Sequence, residues 1–85
     1  MYSVEVSDKA HKILKKLPLF HAQVILRKID QLKNYHPLMS NIKTLKGELQ
    51  GAFRLRVGDY RVVFEIHRSV LTILVIDIFH RGKGY

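Results

Sequence analysis

The arginines of the segment RLRVGDYR, residues 54–61, are the side chains of this sequence best suited to binding an anion. Arg54 and Arg56 precede a Gly-Asp pair, and Arg61 follows it. A two-residue loop that begins with glycine is typical of a tight β-hairpin turn, which fixes the register of the two strands. Counting outward from the turn, Arg56 pairs with Arg61, and Arg54 lies on the same face. The sequence therefore predicts three guanidinium groups on one face of a hairpin.

Such an arrangement opposes folding, because like charges directly opposed across two strands destabilise a sheet by up to about 1 kcal/mol. A guanidinium group matches phosphate oxygens in pairs, so the cluster is well suited to hold a phosphodiester. Lys43 and Lys46, shortly before the hairpin, would extend this basic surface along a nucleic-acid backbone. The alternative interpretation is three solvated arginines whose stems lie on an exposed sheet face. The pattern alone does not decide between the two.

The C-terminal segment HRGKGY, residues 80–85, holds a second group of side chains capable of chemistry. It combines the imidazole of His80, the cations of Arg81 and Lys83, and the phenol of Tyr85. In a meander the last strand lies beside the strand that begins near Arg61, so we expect Arg81 to reach the arginine face. The alternative is a frayed basic chain end.

Other catalytic chemistries lack the residues they need. The five histidines show no metal-ligand spacing, and the seven acidic residues are few and scattered. No metalloprotease, P-loop, nucleophile-elbow or dinucleotide-binding motif is present. Two-metal phosphodiester cleavage is therefore not expected, and we expect neither a metal nor another cofactor. What remains is stabilisation of a pentavalent phosphorane by arginines, with the RNA 2′-hydroxyl, which DNA lacks, as the attacking group.

The composition narrows the class of partner. A net charge of +8 and a hydrophobic content of 47% indicate a folded, strongly basic domain. This charge favours nucleic acid, an anionic membrane or an acidic protein, and a merely soluble basic domain is the alternative. The sequence has no cysteine, and its most apolar run, residues 70–79, is well short of the roughly 18 residues that span a bilayer. With no signal-peptide pattern at the N-terminus, we expect a cytoplasmic protein.

The helices that must support the hairpin are predicted from hydrophobic periodicity. Residues 2–6 alternate as a half-buried strand, and two helices follow, over residues 8–17 and 19–33. Pro18 separates the two helices, which should form a helical hairpin.

Period-two patterns then predict three consecutive strands, at residues 53–57, 60–67 and 70–79. The first two would present an apolar face to the helices, formed by Phe53, Leu55, Val62 and Phe64. The predicted fold is a single α+β domain with the order β-α-α-β-β-β. Its antiparallel meander sheet packs in two layers against the helical hairpin.

The runs LKGELQGAFRLRVGDYRVVFEI and IDIFHRGKGY resemble the RelE/ParE toxins of bacterial and archaeal toxin–antitoxin systems. The resemblance covers nearly the whole chain and includes the order of its elements. It implies a small sheet with a helical hairpin. For RelE-like members it also implies cleavage of messenger RNA in the ribosomal A site, where the 2′-hydroxyl attacks the adjacent phosphate and leaves a cyclic phosphate and a free 5′-hydroxyl.

The resemblance also implies roles for individual residues. Arg61 and Arg81 match arginines that stabilise the transition state, and Tyr85 matches a tyrosine that stacks on the substrate base or assists proton transfer. Arg54 and Arg56 stand where some relatives carry catalytic lysines. Because arginine stays protonated, these two are expected to bind phosphate, which leaves Tyr85 or His80 as the general base. The lysines expected to bind RNA are Lys43, Lys46 and Lys83.

The partners implied by the resemblance are a cognate antitoxin, in a heteromeric toxin–antitoxin complex, and the ribosome with its messenger RNA. A small acidic antitoxin suits the net charge of +8. Two alternatives stay open. One is a ParE-like toxin that binds and poisons DNA gyrase without cleaving RNA, and the other is a superfamily member without catalytic power.

Overall fold

The computed structural model describes residues 1–45 and 51–82, which form two helices and a five-stranded sheet. The elements in chain order are β1 (Ser3–Val6), α1 (Asp8–Lys16), α2 (Leu19–Gln31), β2 (Ile42–Thr44), β3 (Phe53–Val57), β4 (Tyr60–His67) and β5 (Thr72–His80). Short 3₁₀ turns at Leu32–Asn34 and Arg68–Val70 follow α2 and β4. The predicted helices and strands are confirmed, and β2 is an additional strand.

The helical hairpin forms where the sequence places its start and stop signals. The Ser7 hydroxyl accepts a hydrogen bond from the backbone N–H of Ala10 at 3.1 Å and so caps the start of α1. Leu17 is extended before Pro18, which ends α1. The predicted second helix was too long, because α2 ends at Gln31 and a 3₁₀ turn continues to Asn34.

The strand order of the sheet is β1-β5-β4-β3-β2. Strands β2 to β5 form an antiparallel meander, whereas β1 pairs with β5 in parallel. The predicted antiparallel meander is confirmed, and the sheet as a whole is mixed because β1, for which no pairing was predicted, joins it in parallel. In an up-and-down chain each added element reverses the direction, so the extra strand makes β5 run the same way as β1.

The hairpin of β3 and β4 has the register predicted from the Gly-Asp turn. Arg56 is opposite Arg61, and Arg54 is opposite Val63. Gly58 has a φ of +56°, and the following Asp59 does not have a positive φ, which is the pattern of a type II′ turn. The turn thus fixes which side chains face the helices.

One face of the sheet packs against the helices to form the hydrophobic core. The fully or nearly buried members come from both layers: Ala10, Leu14, Ala22, Ile25, Ile29 and Leu32 from the helical layer, and Leu55, Val57, Val62, Phe64, Ile73, Val75 and Ile78 from the sheet. Phe53 is half-buried and stacks on Phe64 with ring centroids 5.5 Å apart. The two-layer α+β architecture is confirmed, and the arginine side chains lie on the sheet face away from the helices. None of the helices in the described ranges is long and apolar enough to cross a membrane.

Replacing Gly58 with alanine tests the turn. The added methyl group meets no atom within 4 Å, so its penalty is purely one of backbone conformation. We expect Gly58→Ala to lower the free energy of unfolding by about 1–2 kcal/mol in urea titrations. Gly82→Ala is the matched control, because Gly82 lacks a positive φ and its added methyl would lie 3.9 Å from His80 Nδ1. Equal stability of the two variants would contradict the assigned turn.

Candidate anion-binding site

Four cations meet on the sheet face away from the helices. Arg56 pairs directly with Arg61, and Lys43 of β2 pairs directly with Arg54. Together with Asn41 and Ile42, these four side chains line a cavity of about 240 Å³, which we call the arginine cleft. Strand alternation thus brings Lys43, Arg54, Arg56 and Arg61 to one place, as their predicted roles require.

The size of the arginine cleft limits what it can hold. Water occupies roughly 30 Å³ per molecule, so a cavity of about 240 Å³ has ample room for a phosphate group. Pockets that enclose a drug-sized ligand have volumes of roughly 300–1,000 Å³. The cleft therefore suits one phosphodiester link better than a whole nucleotide.

Arg61 is held in place by its own turn. Its Nη1 donates hydrogen bonds to the carbonyl oxygens of Gly58 and Tyr60, each at 2.9 Å. Within residues 1–45 and 51–82, Nε and Nη2 of Arg61 have no hydrogen-bond partner. The backbone thereby orients one end of the guanidinium group, and the Arg61 side chain lines the arginine cleft.

The electrostatic environment of Arg61 disfavours its positive charge. Partial burial and the neighbouring charges of Arg54, Arg56 and Arg81 lower the pKa of Arg61, while Asp59 opposes this effect. A cation with a lowered pKa weakens the fold at every pH below that pKa, and only deprotonation far above neutral pH would relieve the repulsion. At neutral pH the cluster is therefore charged, self-repelling and able to gain stability from a bound anion.

Arg81 joins this group from the end of β5. Its backbone N–H donates to the carbonyl oxygen of Asp59 at 2.8 Å, and its Nε lies 3.4 Å from Asp59 Oδ1. Both side chains are more than 60% exposed, so the ion pair is weak and a phosphate can replace the carboxylate. Asp59 was not predicted as a partner of Arg81, although its place in the Gly-Asp turn was a usable signal.

His80 lies on the other face of the sheet. It pairs with Tyr60, and the two rings are in edge-to-face contact with centroids 5.5 Å apart. Tyr60 also contacts His21 of α2, at 5.4 Å between centroids. Because Tyr60 and Arg61 are successive residues of one strand, the imidazole of His80 and the arginine cleft are on opposite sides. The structure does not bring this candidate base together with the cations, and its role stays a prediction.

The remaining predicted site residues lie outside the described ranges. These are Lys46, Lys83 and Tyr85. In the part of the chain that the structure describes, no group of three or more histidine, aspartate or glutamate side chains could hold a metal ion.

Removing one charge from the arginine cleft should stabilise the protein. We expect Arg56→Gln to raise the free energy of unfolding at low salt by up to about 1 kcal/mol, because it removes the charge opposite Arg61. Sulfate should then stabilise Arg56→Gln less than the wild type at equal ionic strength, measured by thermal unfolding. Lys12→Gln, which removes an exposed charge on α1, is the control and should respond to sulfate like the wild type. Equal sulfate responses of all three proteins would contradict the anion site.

Comparison with known proteins identifies the family. The family described as "ParE toxin of type II toxin-antitoxin system, parDE" matches residues 4–85. Toxin RelG of Mycobacterium tuberculosis is 32% identical over 99% of this chain and 95% of its own length.

Two solved structures share the fold. The toxin–antitoxin complex RelBE2 of Mycobacterium tuberculosis contains a chain that is 29% identical, with a TM-score of 0.80 over 94% of this chain and 98% of that one. The archaeal RelE–RelB complex of Pyrococcus horikoshii contains a chain that is 28% identical, with a TM-score of 0.78 over 98% of both chains. The protein belongs to the RelE/ParE superfamily and is a toxin of a type II toxin–antitoxin system.

Proposed function

We propose that this toxin is a metal-independent endoribonuclease that cleaves messenger RNA on the ribosome and so inhibits translation. The observation that carries the proposal is the arginine cleft, where three arginines and a lysine converge with Arg81 beside them. A self-repelling cluster of this kind is best explained by an anionic ligand. A trigonal-bipyramidal phosphorane carries more negative charge than the phosphodiester from which it forms, so fixed cations favour the transition state over the substrate.

The proposed reaction is an internal transfer of the phosphoryl group. The 2′-oxygen attacks the adjacent phosphorus, the bond from phosphorus to the 5′-oxygen breaks, and the products are a 2′,3′-cyclic phosphate and a 5′-hydroxyl. One proton leaves the 2′-hydroxyl and one reaches the departing 5′-oxygen. Arg61, fixed by two carbonyl oxygens, is suited to bind a non-bridging oxygen, and Arg81 can release Asp59 to bind another.

The general base in this proposal is Tyr85 rather than His80. The arginines remain protonated, and His80 faces away from the arginine cleft. The family resemblance assigns Tyr85 to stacking or proton transfer, and the proximity of the cations would lower the pKa of a phenol brought there. Arg54, Arg56 and Lys43 then bind the phosphate, while Lys46 and Lys83 contact the RNA backbone.

The proposed dependence on the ribosome is supported by the part of the cleft lining that the structure describes. It has room for a phosphate group, and cationic side chains dominate its lining. Phosphate contacts position a nucleic acid, but they do not orient the 2′-hydroxyl for in-line attack. Messenger RNA held in the A site would supply that orientation.

The proposed protein partner is a cognate antitoxin that holds the toxin inactive in a heteromeric complex. Of the two structural relatives described above, one was solved as a toxin–antitoxin complex and the other as a RelE–RelB complex. A net charge of +8 favours an acidic partner and rapid association with it.

Arg61→Ala should reduce cleavage of ribosome-bound messenger RNA by roughly 100-fold or more, the usual effect of removing one preorganised charge-stabilising donor. The assay counts 5′-hydroxyl ends on messenger RNA, with and without ribosomes. Arg68→Ala is the matched control, because Arg68 is exposed in the turn at the other end of β4. Arg68→Ala should unfold like the wild type, and Arg61→Ala should stay folded because it removes the charge opposite Arg56. Undiminished cleavage by folded Arg61→Ala would contradict the proposal.

A gyrase-directed toxin is the second candidate, favoured by the match to the ParE toxin family. It predicts growth arrest with intact transcripts and with DNA damage. Expression of the toxin in cells separates the two functions. The endonuclease produces 5′-hydroxyl ends on messenger RNA and leaves DNA undamaged, whereas the gyrase-directed toxin does the reverse.

Replacing His80 with phenylalanine tests which group acts as the base. His80→Phe keeps an aromatic ring against Tyr60 but removes the titratable nitrogen atoms. We expect its cleavage rate to stay within about threefold of the wild type across the pH range, whereas Tyr85→Phe should lose roughly 100-fold. A large loss in His80→Phe with no loss in Tyr85→Phe would assign the base to His80.

A further inference from the structure

Strand β5 contains a β-bulge beside the arginine face. Val75 pairs with Phe64 of β4, but the next partner along β5, opposite Val63, is Asp77. Ile76 is therefore the additional residue of the bulge. Beyond it the ladder is regular again, with Phe79 opposite Arg61 and His80 opposite Tyr60.

This one extra residue determines which side chains of the C-terminal segment face the arginine cleft. After the bulge Ile78 and His80 point toward the helices, and Ile78 is 2% exposed. Phe79 shares the face of its partner Arg61, and Arg81, two residues further on, contacts Asp59 on that side. Without the bulge every side chain after Val75 would change faces, and Arg81 would point away from the arginine cleft.

Asp77 is at the centre of this irregularity. It is 8% exposed and is the one buried charged residue among residues 1–45 and 51–82. Its Oδ1 accepts the backbone N–H of Ile78 at 2.8 Å, and its Oδ2 lies 3.2 Å from Nζ of Lys9 in the first turn of α1. Strand β1 ends before this point, so Lys9 can reach the carboxylate past the end of that strand.

Two hydrogen bonds of Ser7 fix the chain at the start of the bulge. Its backbone N–H donates to the carbonyl oxygen of Val75 at 2.8 Å, and its hydroxyl donates to that of Ile76 at 3.3 Å. Residues 72–75 are also held by β1 on one side and β4 on the other. Any change of register is thus confined to the residues after Val75.

We propose that Asp77 is a positioning residue, which selects the bulged register of β5 and thereby places Arg81 at the arginine cleft. The proposal rests on the proposed function for its catalytic meaning, but the register itself is independent of it. In the unbulged register Asp77 would lie opposite Val62 on the core face, where an ionised carboxylate without partners is strongly unfavourable. The carboxylate thus excludes the register in which the alternation of β5 would be unbroken.

The sequence around Asp77 makes this exclusion necessary. With an apolar residue at this position, Ile73, Val75, the new side chain and Phe79 would alternate without interruption toward the core. A regular strand of that pattern needs no bulge and buries the ring of Phe79 in place of Ile78. The polar side chain of Asp77, which cannot be buried on the core face without hydrogen-bond partners, is therefore the feature that distinguishes the two registers.

Asp77→Val is the direct test. We expect a folded protein in which Phe79, instead of His80, lies against Tyr60, as detected by nuclear Overhauser effects between the rings. Arg81 then leaves the arginine cleft, and cleavage should fall roughly 100-fold, as for loss of one charge-stabilising donor.

Deleting Ile76 in the Asp77→Val protein provides the rescue. Removal of one residue restores the original face of every later side chain, so the Tyr60–His80 contact and cleavage should both return to within about tenfold of the wild type. A residue with only a structural role would not be rescued by a further deletion in the same strand. Deletion of Ile76 alone is the control and should keep both the contact and the activity, because Asp77 stays opposite Val63.

The outcomes separate this proposal from the proposed function. Retention of the Tyr60–His80 contact in Asp77→Val overturns the positioning role, whatever the activity. If Asp77→Val does not fold, two other proteins test the positioning role. Asp77→Asn keeps the acceptor for the backbone N–H of Ile78, so we expect it to keep the bulged register. Loss of the Tyr60–His80 contact in the Asp77→Val protein that lacks Ile76 overturns the proposal. Absence of cleavage by the wild type overturns the proposed function, while the register measurement still tests Asp77.

Discussion

The constraint on which the site depends is the fixed register of the hairpin around Gly58 and Asp59. A type II′ turn leaves no freedom to slide, so Arg56 must lie opposite Arg61 although their charges repel. Burial and, after it, the neighbouring charges of Arg54 and Arg56 lower the pKa of Arg61. The protein holds these charges together through the hydrophobic burial of the other hairpin face, and a phosphate would relieve the repulsion.

One face of the sheet therefore stabilises the fold, and the other carries the proposed phosphate-binding site. The face toward the helices buries an almost continuous apolar core, and this burial stabilises the fold. Repulsion among the cations of the opposite face lowers the free energy of unfolding. The opposite face orients the guanidinium of Arg61 through backbone carbonyl oxygens and brings Arg81 beside it. Because the cations are held by backbone geometry, little reorganisation is needed when negative charge develops on a bound phosphate.

Local patterns predicted the parts of the fold that depend on near neighbours. The Gly-Asp pair and strict alternation predicted the hairpin and its two faces. Strand β2 was missed because three residues are too short for a period to be recognised, and with it the parallel pairing of β1 was missed. The bulge at Ile76 was equally hidden, since residues 73–79 are apolar at every position but Asp77. The face occupied by His80 depends on that bulge, so its separation from the arginines required the three-dimensional structure.

The central claim is that the arginine cleft holds the phosphate that the neighbouring 2′-oxygen attacks. Its most direct test uses ribosomes programmed with a messenger RNA that carries a single 2′-deoxynucleotide on the 5′ side of the mapped cleavage position. We expect this RNA to stay uncut at that position while it still competes with the all-ribose RNA for the wild-type toxin. Cleavage at the 2′-deoxy position at the normal rate would show that the 2′-oxygen is not the attacking group.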